Sequence, residues 1–112
     1  MEHFNKKETL EQLGDDEDLL REIIEAFIND APNQIITITN AIQNKDGDTL
    51  MRNAHTLKST SAMLYAHSVS QIAKQMEEAG KLNNFTISST LLIKLNEAFQ
   101  LLMNELKTEL SV

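Results

Sequence analysis

Apolar residues recur along this chain at spacings of three and four, the signature of helices that each bury one stripe. Leu19, Leu20, Ile23, Ile24, Phe27 and Ile28 form the first clear run, with Asp15 or Asp16 placed to cap its start. A second run, Ile35, Ile38, Ala41 and Ile42, is predicted to begin afresh at Pro32, a residue suited to the first turn of a helix, with Asp30 or Ala31 as its cap. The Ile-Thr alternations of that run work against helix propensity. The next helix opens at Asp46-Gly47-Asp48 and buries Leu50, Ala54, Leu57, Ser61 and Leu64. Ser68 opens another, with Val69, Ile72, Ala73, Met76 and Ala79 inward and Gly80 at its end. After Asn83-Asn84 the last helix buries Leu91, Leu92, Leu95, Ala98, Phe99, Leu102, Leu106 and Leu110. A short amphipathic piece from Thr9 to Leu13, closed by Gly14, precedes them all.

Gly14, Gly47, Gly80 and Pro32 thus read as punctuation between helices. Short connections make successive helices antiparallel neighbours. The expected fold is all-α: an antiparallel up-down-up-down four-helix bundle with one or two short additional N-terminal helices.

Composition narrows the function. At 112 residues the chain is expected to be a single domain, 1–112, with one core, and 41% apolar residues can offset its ordering entropy. No cysteine is present, which removes disulfides, thiolate zinc sites and a cysteine nucleophile. No apolar run approaches the ~20 residues needed to cross a bilayer, and a cytoplasmic location is expected. A formal net charge of -7 opposes nucleic-acid binding, which needs clustered Lys and Arg. Proteins, small molecules and metals remain as partners. The run Asp15 to Asp18 has a calcium-like composition but lacks EF-hand spacing, so it reads as a helix cap and a solvated first turn. No Glu-x-x-His occurs, and no metal site is expected.

The candidate chemistry centres on His55. At about 100° per residue, His55 points roughly 140° away from the stripe formed by Leu50, Ala54, Leu57, Ser61 and Leu64. On the same wheel Ser59, Ala62 and Ala66 share its direction, forming a shelf of small side chains. Arg52 and Lys58 flank it, one turn before and one turn after. Neutral imidazole is a good nucleophile, and a neighbouring lysine favours the neutral form by like-charge repulsion. The same cation can pair with a phosphoryl group once it is on the ring. The pattern reads as a phosphoryl-accepting site, with Met51 and Met63 as a flexible apolar rim for a docking partner. His3 lies at a chain end expected to fray, and His67 is expected at a helix start, capping or exposed.

The segment Ala54-His55-Thr56-Leu57-Lys58-Ser59, then Ser61-Ala62 and Leu64-Tyr65-Ala66, resembles the histidine-containing phosphotransfer (HPt) family. The likeness continues through Val69, Ile72, Ala73 and Met76-Glu77-Glu78-Ala79-Gly80-Lys81, and upstream through Gly14 to Leu20, Phe27 and Pro32. It implies that His55 is phosphorylated on Nε2, that Lys58 pairs with the phosphate, and that Glu77 orients the ring through its other nitrogen. Two positions depart from the family pattern: Ser59 stands where glycine is usual, and Tyr65 where glycine is common. The implied function is that of a phosphorelay intermediate, in which His55 accepts a phosphoryl group from a receiver-domain aspartate and passes it to another receiver.

The chain has no Gly-rich phosphate loop and no kinase motif set, so no ATP site of its own is expected. No cofactor is expected either, Mg²⁺ being supplied by the partner receiver domain. Three alternatives stay open. The chain could be the HPt domain of a hybrid or chemotaxis-type histidine kinase, phosphorylated by a kinase domain. It could be a receiver-binding adaptor that transfers nothing. A metal-binding bundle is the third. A monomer is expected, because the His55 stripe must stay free.

Overall fold

The computed structural model describes residues 3–111, all of them in helices or in the short segments that join or precede them. The order is α1 (Lys6–Gln12), α2 (Glu17–Gln43), α3 (Gly47–Met63), α4 (His67–Lys81) and α5 (Phe85–Ser111). The four long helices pack as successive antiparallel neighbours, with α2 also against α5, in a body of 41 × 23 × 21 Å. Each of the 27-residue helices α2 and α5 is about 40 Å long at 1.5 Å per residue, so these two set the length of the bundle. The shorter α3 and α4 stop before the end of that pair, and the first residues of the chain cover the overhang. Phe4 is buried in the core there, and Asn5 donates its N–H to the Leu64 carbonyl at 3.3 Å. Lys6 pairs with Glu109 at 3.1 Å.

The all-α, four-helix expectation holds, with one short helix in front. Several details differ. Pro32 does not start a new helix: it lies within α2, which runs unbroken across it. Its ring costs one backbone hydrogen bond. The buried stripe Leu20, Ile24, Phe27, Ala31, Ile38, Ala41 and Ile42 nevertheless keeps a single helical phase on both sides, and burial of that stripe outweighs the loss. Leu19, placed in the stripe by its spacing, is 37% exposed. His3, expected at a fraying end, is hydrogen-bonded to the body of the bundle: the Glu105 carboxylate accepts its backbone N–H at 2.8 Å and that of Phe4 at 3.1 Å.

The three connections between long helices share one design. At Asn44-Lys45-Asp46, Leu64-Tyr65-Ala66 and Leu82-Asn83-Asn84, the middle residue takes a positive φ of 53°, 52° and 51°. The third residue's N–H reaches back to the helix, as from Asp46 to the Ala41 carbonyl at 2.8 Å and from Ala66 to that of Ser61 at 3.0 Å. This is the Schellman closure. The same third residue then begins the next helix: Asp46 caps α3 through the Thr49 N–H at 3.1 Å, and Asn84 caps α5 through that of Ile87 at 3.1 Å. Ala66 starts α4 without a side-chain cap, so α4 opens at His67 and not at Ser68.

Candidate functional site

The site is built on the contact between α3 and α4, which is unusually close at one end. Gly80 lies inside the last turn of α4, and a Cβ on it would stand 2.8 Å from the Met51 backbone nitrogen and 3.0 Å from the Gly47 carbonyl. A Cβ on Gly47 would stand 2.6 Å from the Gly80 carbonyl. Neither glycine serves as loop punctuation; both let two backbones touch. Further along, the pair buries small residues on both sides, Ala54 and Ala73 among them. Polar side chains on the outer edge of α3 can therefore reach across to α4.

Two of them do. The His55 Nδ1 lies 2.9 Å from one carboxylate oxygen of Glu77, and the Lys58 ammonium donates to the other at 2.7 Å. The Lys58 hydrogen bond is the main influence holding the Glu77 carboxyl below the usual carboxylate range; burial opposes it, and the His55 contact adds to it. Glu77 is therefore a carboxylate at neutral pH and can only accept. The facing ring nitrogen must donate, so in the neutral imidazole the proton sits on Nδ1 and the lone pair on Nε2. A depressed carboxyl stabilises the fold fully above its unfolded-state value and loses that contribution as pH falls through the folded one.

Exposure divides the three side chains. The His55 side chain is 57% exposed, that of Lys58 31% and that of Glu77 12%. The imidazole is thus at the surface, and the carboxylate that pairs with it is held in the groove between the helices. The ion pair also corrects an expectation: the Lys58 charge is matched by Glu77, so it does not face the ring as an unpaired like charge.

Around this centre Ser59 and Ala62 are exposed beside the ring, as the wheel predicts. The Ser59 hydroxyl donates to the His55 carbonyl at 3.1 Å, folded along the helix and away from the shelf. Met63 is 54% exposed, Met51 is half-buried beside Gly80, and Arg52 is exposed and paired with Asp48 at 2.9 Å. Ala66 does not belong to the shelf. It is fully buried in the turn before α4, because α3 ends at Met63 and the positive φ of Tyr65 resets the helical phase. Its place is taken by residues that spacing could not supply: Gln12 and Leu13 at the end of α1 border a hollow with Ser59, Ala62, Met63 and Tyr65. Leu13 ends an amphipathic piece in the sequence, but nothing local says which helix it meets. His67 is exposed, edge-on to the Tyr65 ring at 6.1 Å.

Comparison with known proteins decides what this arrangement belongs to. The family model for the Hpt domain matches residues 22–109. The chain belongs to the Hpt family. Histidine phosphotransfer within a phosphorelay is the function this membership brings, with receiver domains or kinases as the class of partner. Among solved structures, histidine-containing phosphotransfer protein B of Pseudomonas aeruginosa PAO1 is similar in fold, with a TM-score of 0.89 at 19% identity. The match covers 97% of this chain and 95% of that one. No curated protein sequence matches. Tyr65 in this Hpt domain takes a positive φ of 52°, a conformation that favours glycine.

Proposed function

We propose that His55 is the phosphoryl carrier, and that its Nε2 takes the group from an aspartyl phosphate on one receiver domain and gives it to an aspartate on another. The observation that carries this is the pairing of Nδ1 with a carboxylate on a ring that is otherwise 57% exposed. One nitrogen is committed to holding the ring, and the other is left as an oriented nucleophile. Glu77 orients the ring. The Lys58 ammonium has three donors and spends one on Glu77, leaving others for the oxygens of an incoming phosphoryl group. Ser59, Ala62 and Met63, with Leu13 across from them, form the surface on which a receiver would rest, and Met51 and Arg52 border the other side. The receiver contributes Mg²⁺. The reading extends to a monomer working in the cytoplasm.

The test is incubation with a phosphorylated receiver domain. The expected product is an acid-labile, alkali-stable phosphoprotein labelled on His55. His55→Gln should take no label while its helical content is unchanged. A label elsewhere, or equal labelling of the variant, ends the proposal. Tight receiver binding without any transfer would instead mark a passive adaptor.

A further inference from the structure

The sequence carries five methionines, of which Met1 lies outside the described residues. The other four stand in three different surroundings. Met76 and Met103 are buried in the core, and Met51 is half-buried where α3 meets Gly80. Met63, the last residue of α3, is 54% exposed. Thioether oxidation follows access. Among the described methionines, Met63 is therefore the one an oxidant reaches first in the folded protein.

Its position gives that chemistry a consequence. Met63 is a wall common to two largely apolar hollows. On one side lie Ile23, Phe27 and Thr60, in a groove between α2 and α3. On the other lie Leu13, Ser59 and Ala62, the surface on which a receiver would rest. A partner covering that surface buries the Met63 thioether, which is only a weak acceptor and loses little when water leaves. A sulfoxide oxygen is a strong acceptor and needs a donor once water is excluded. The Ser59 and Thr60 hydroxyls on the same walls are already committed, donating to the His55 and Thr56 carbonyls at 3.1 Å each.

Resting on the reading of His55 as carrier and of that surface as the receiver's seat, we propose that Met63 is a redox modification site that controls docking. A peroxide converts its thioether to the sulfoxide, and the oxidised protein keeps an intact His55 site that receivers engage poorly. In the step itself a sulfur lone pair attacks one peroxide oxygen, so that an S–O bond forms and the O–O bond breaks. The departing hydroxide takes the proton from the new S–OH, leaving sulfoxide and water. Sulfur gives up two electrons and the peroxide gains them. Reduction by a sulfoxide reductase returns the thioether, so the modification is reversible. The contacts of Glu77 with His55 and Lys58 do not involve Met63 and persist throughout.

The test combines peptide mapping with transfer. Folded protein treated with hydrogen peroxide and then digested should carry added oxygen on Met63 first and on Met51 severalfold more slowly. Met76 and Met103 should gain oxygen only when denaturant is present. Labelling of His55 by a phosphorylated receiver should become about tenfold slower, the change expected from one acceptor buried without a partner. Labelling by phosphoramidate, a small donor that needs no docking surface, should not change. Sulfoxide reductases acting on both epimers should restore the rate with the receiver. Met63→Leu keeps every other methionine and should hold its own starting rate through the same treatment. Oxidation of Met51 ahead of Met63, an undiminished rate after oxidation of Met63, or an equal fall in Met63→Leu overturns this proposal alone. If neither donor labels His55 before oxidation, this proposal and the carrier reading fall together.

Discussion

Two helix pairs in this bundle solve the packing problem in opposite ways. Between α2 and α5 the helices are held apart by bulky side chains, with the Phe27 and Phe99 rings 6.1 Å between centroids and tilted by 42°. Between α3 and α4 they meet at backbone level, through Gly47 and Gly80, with alanines further along. A pair separated by large side chains can repack by small shifts when one is altered, whereas a backbone contact has no slack. The site proposed for phosphotransfer crosses the second pair. Contacts of 2.9 and 2.7 Å from two α3 residues to one α4 carboxylate need a fixed register, and the glycine contact supplies it.

The contrast breaks most simply at Phe27, which is 5% exposed. Phe27→Ala should cost about 3–5 kcal/mol of stability, read from a denaturant midpoint. Transfer to a receiver should stay near the wild-type rate at temperatures where the variant is folded. A parallel collapse of transfer in fully folded protein would show that the two pairs are not separable.

Gly80→Ala is the complementary case. The added methyl would lie against backbone atoms of Met51 and Gly47, which cannot rotate away as a side-chain end could. The expected loss is about 1–3 kcal/mol, less than for Phe27. It should be accompanied by about tenfold slower transfer, the equivalent of ~1.4 kcal/mol in the barrier, as Glu77 is pushed off register from His55. Unchanged transfer would mean that the glycine contact serves stability only.

These two pairs were not equally legible in the sequence. Both faces of α3 could be read from spacing, and Leu50, Ala54, Leu57, Ser61 and Leu64 are all fully buried while His55 is exposed. The unity of α2 was also present, in the constant phase of its stripe, but Pro32 outweighed it because local propensity carries no knowledge of burial on the far side. The meeting of Glu77 with His55 depends on the register between two helices, which periodicity within either cannot fix; resemblance to a family suggested it. The position of Lys58 on α3 follows from spacing, but its pairing with Glu77 does not, for the same reason. Gly47 and Gly80 read as turn residues in the sequence, since an inter-backbone contact leaves no mark on a single strip of it.

The turns themselves show where glycine would have been easiest to place. Lys45, Tyr65 and Asn83 hold a positive φ with a side chain attached, a conformation that costs a non-glycine residue about 1–2 kcal/mol. Lys45 is the cleanest of the three, because it is exposed. Replacing it by glycine relieves that strain but gives the unfolded chain more freedom, which takes back about 0.4–1 kcal/mol. Lys45→Gly should therefore stabilise the protein by about 0.5–1 kcal/mol, the smallest of these effects and the only one with a favourable sign. Transfer from His55 should be unaffected, because the turn lies before Gly47 and alters neither backbone at the contact. Stabilisation at Lys45 together with loss at Gly80→Ala would show that the chain gains more from glycine where helices touch than where they end. A destabilised Lys45→Gly would mean that the lysine side chain itself holds this turn, and the difference between turn and contact would then rest on Gly80 alone.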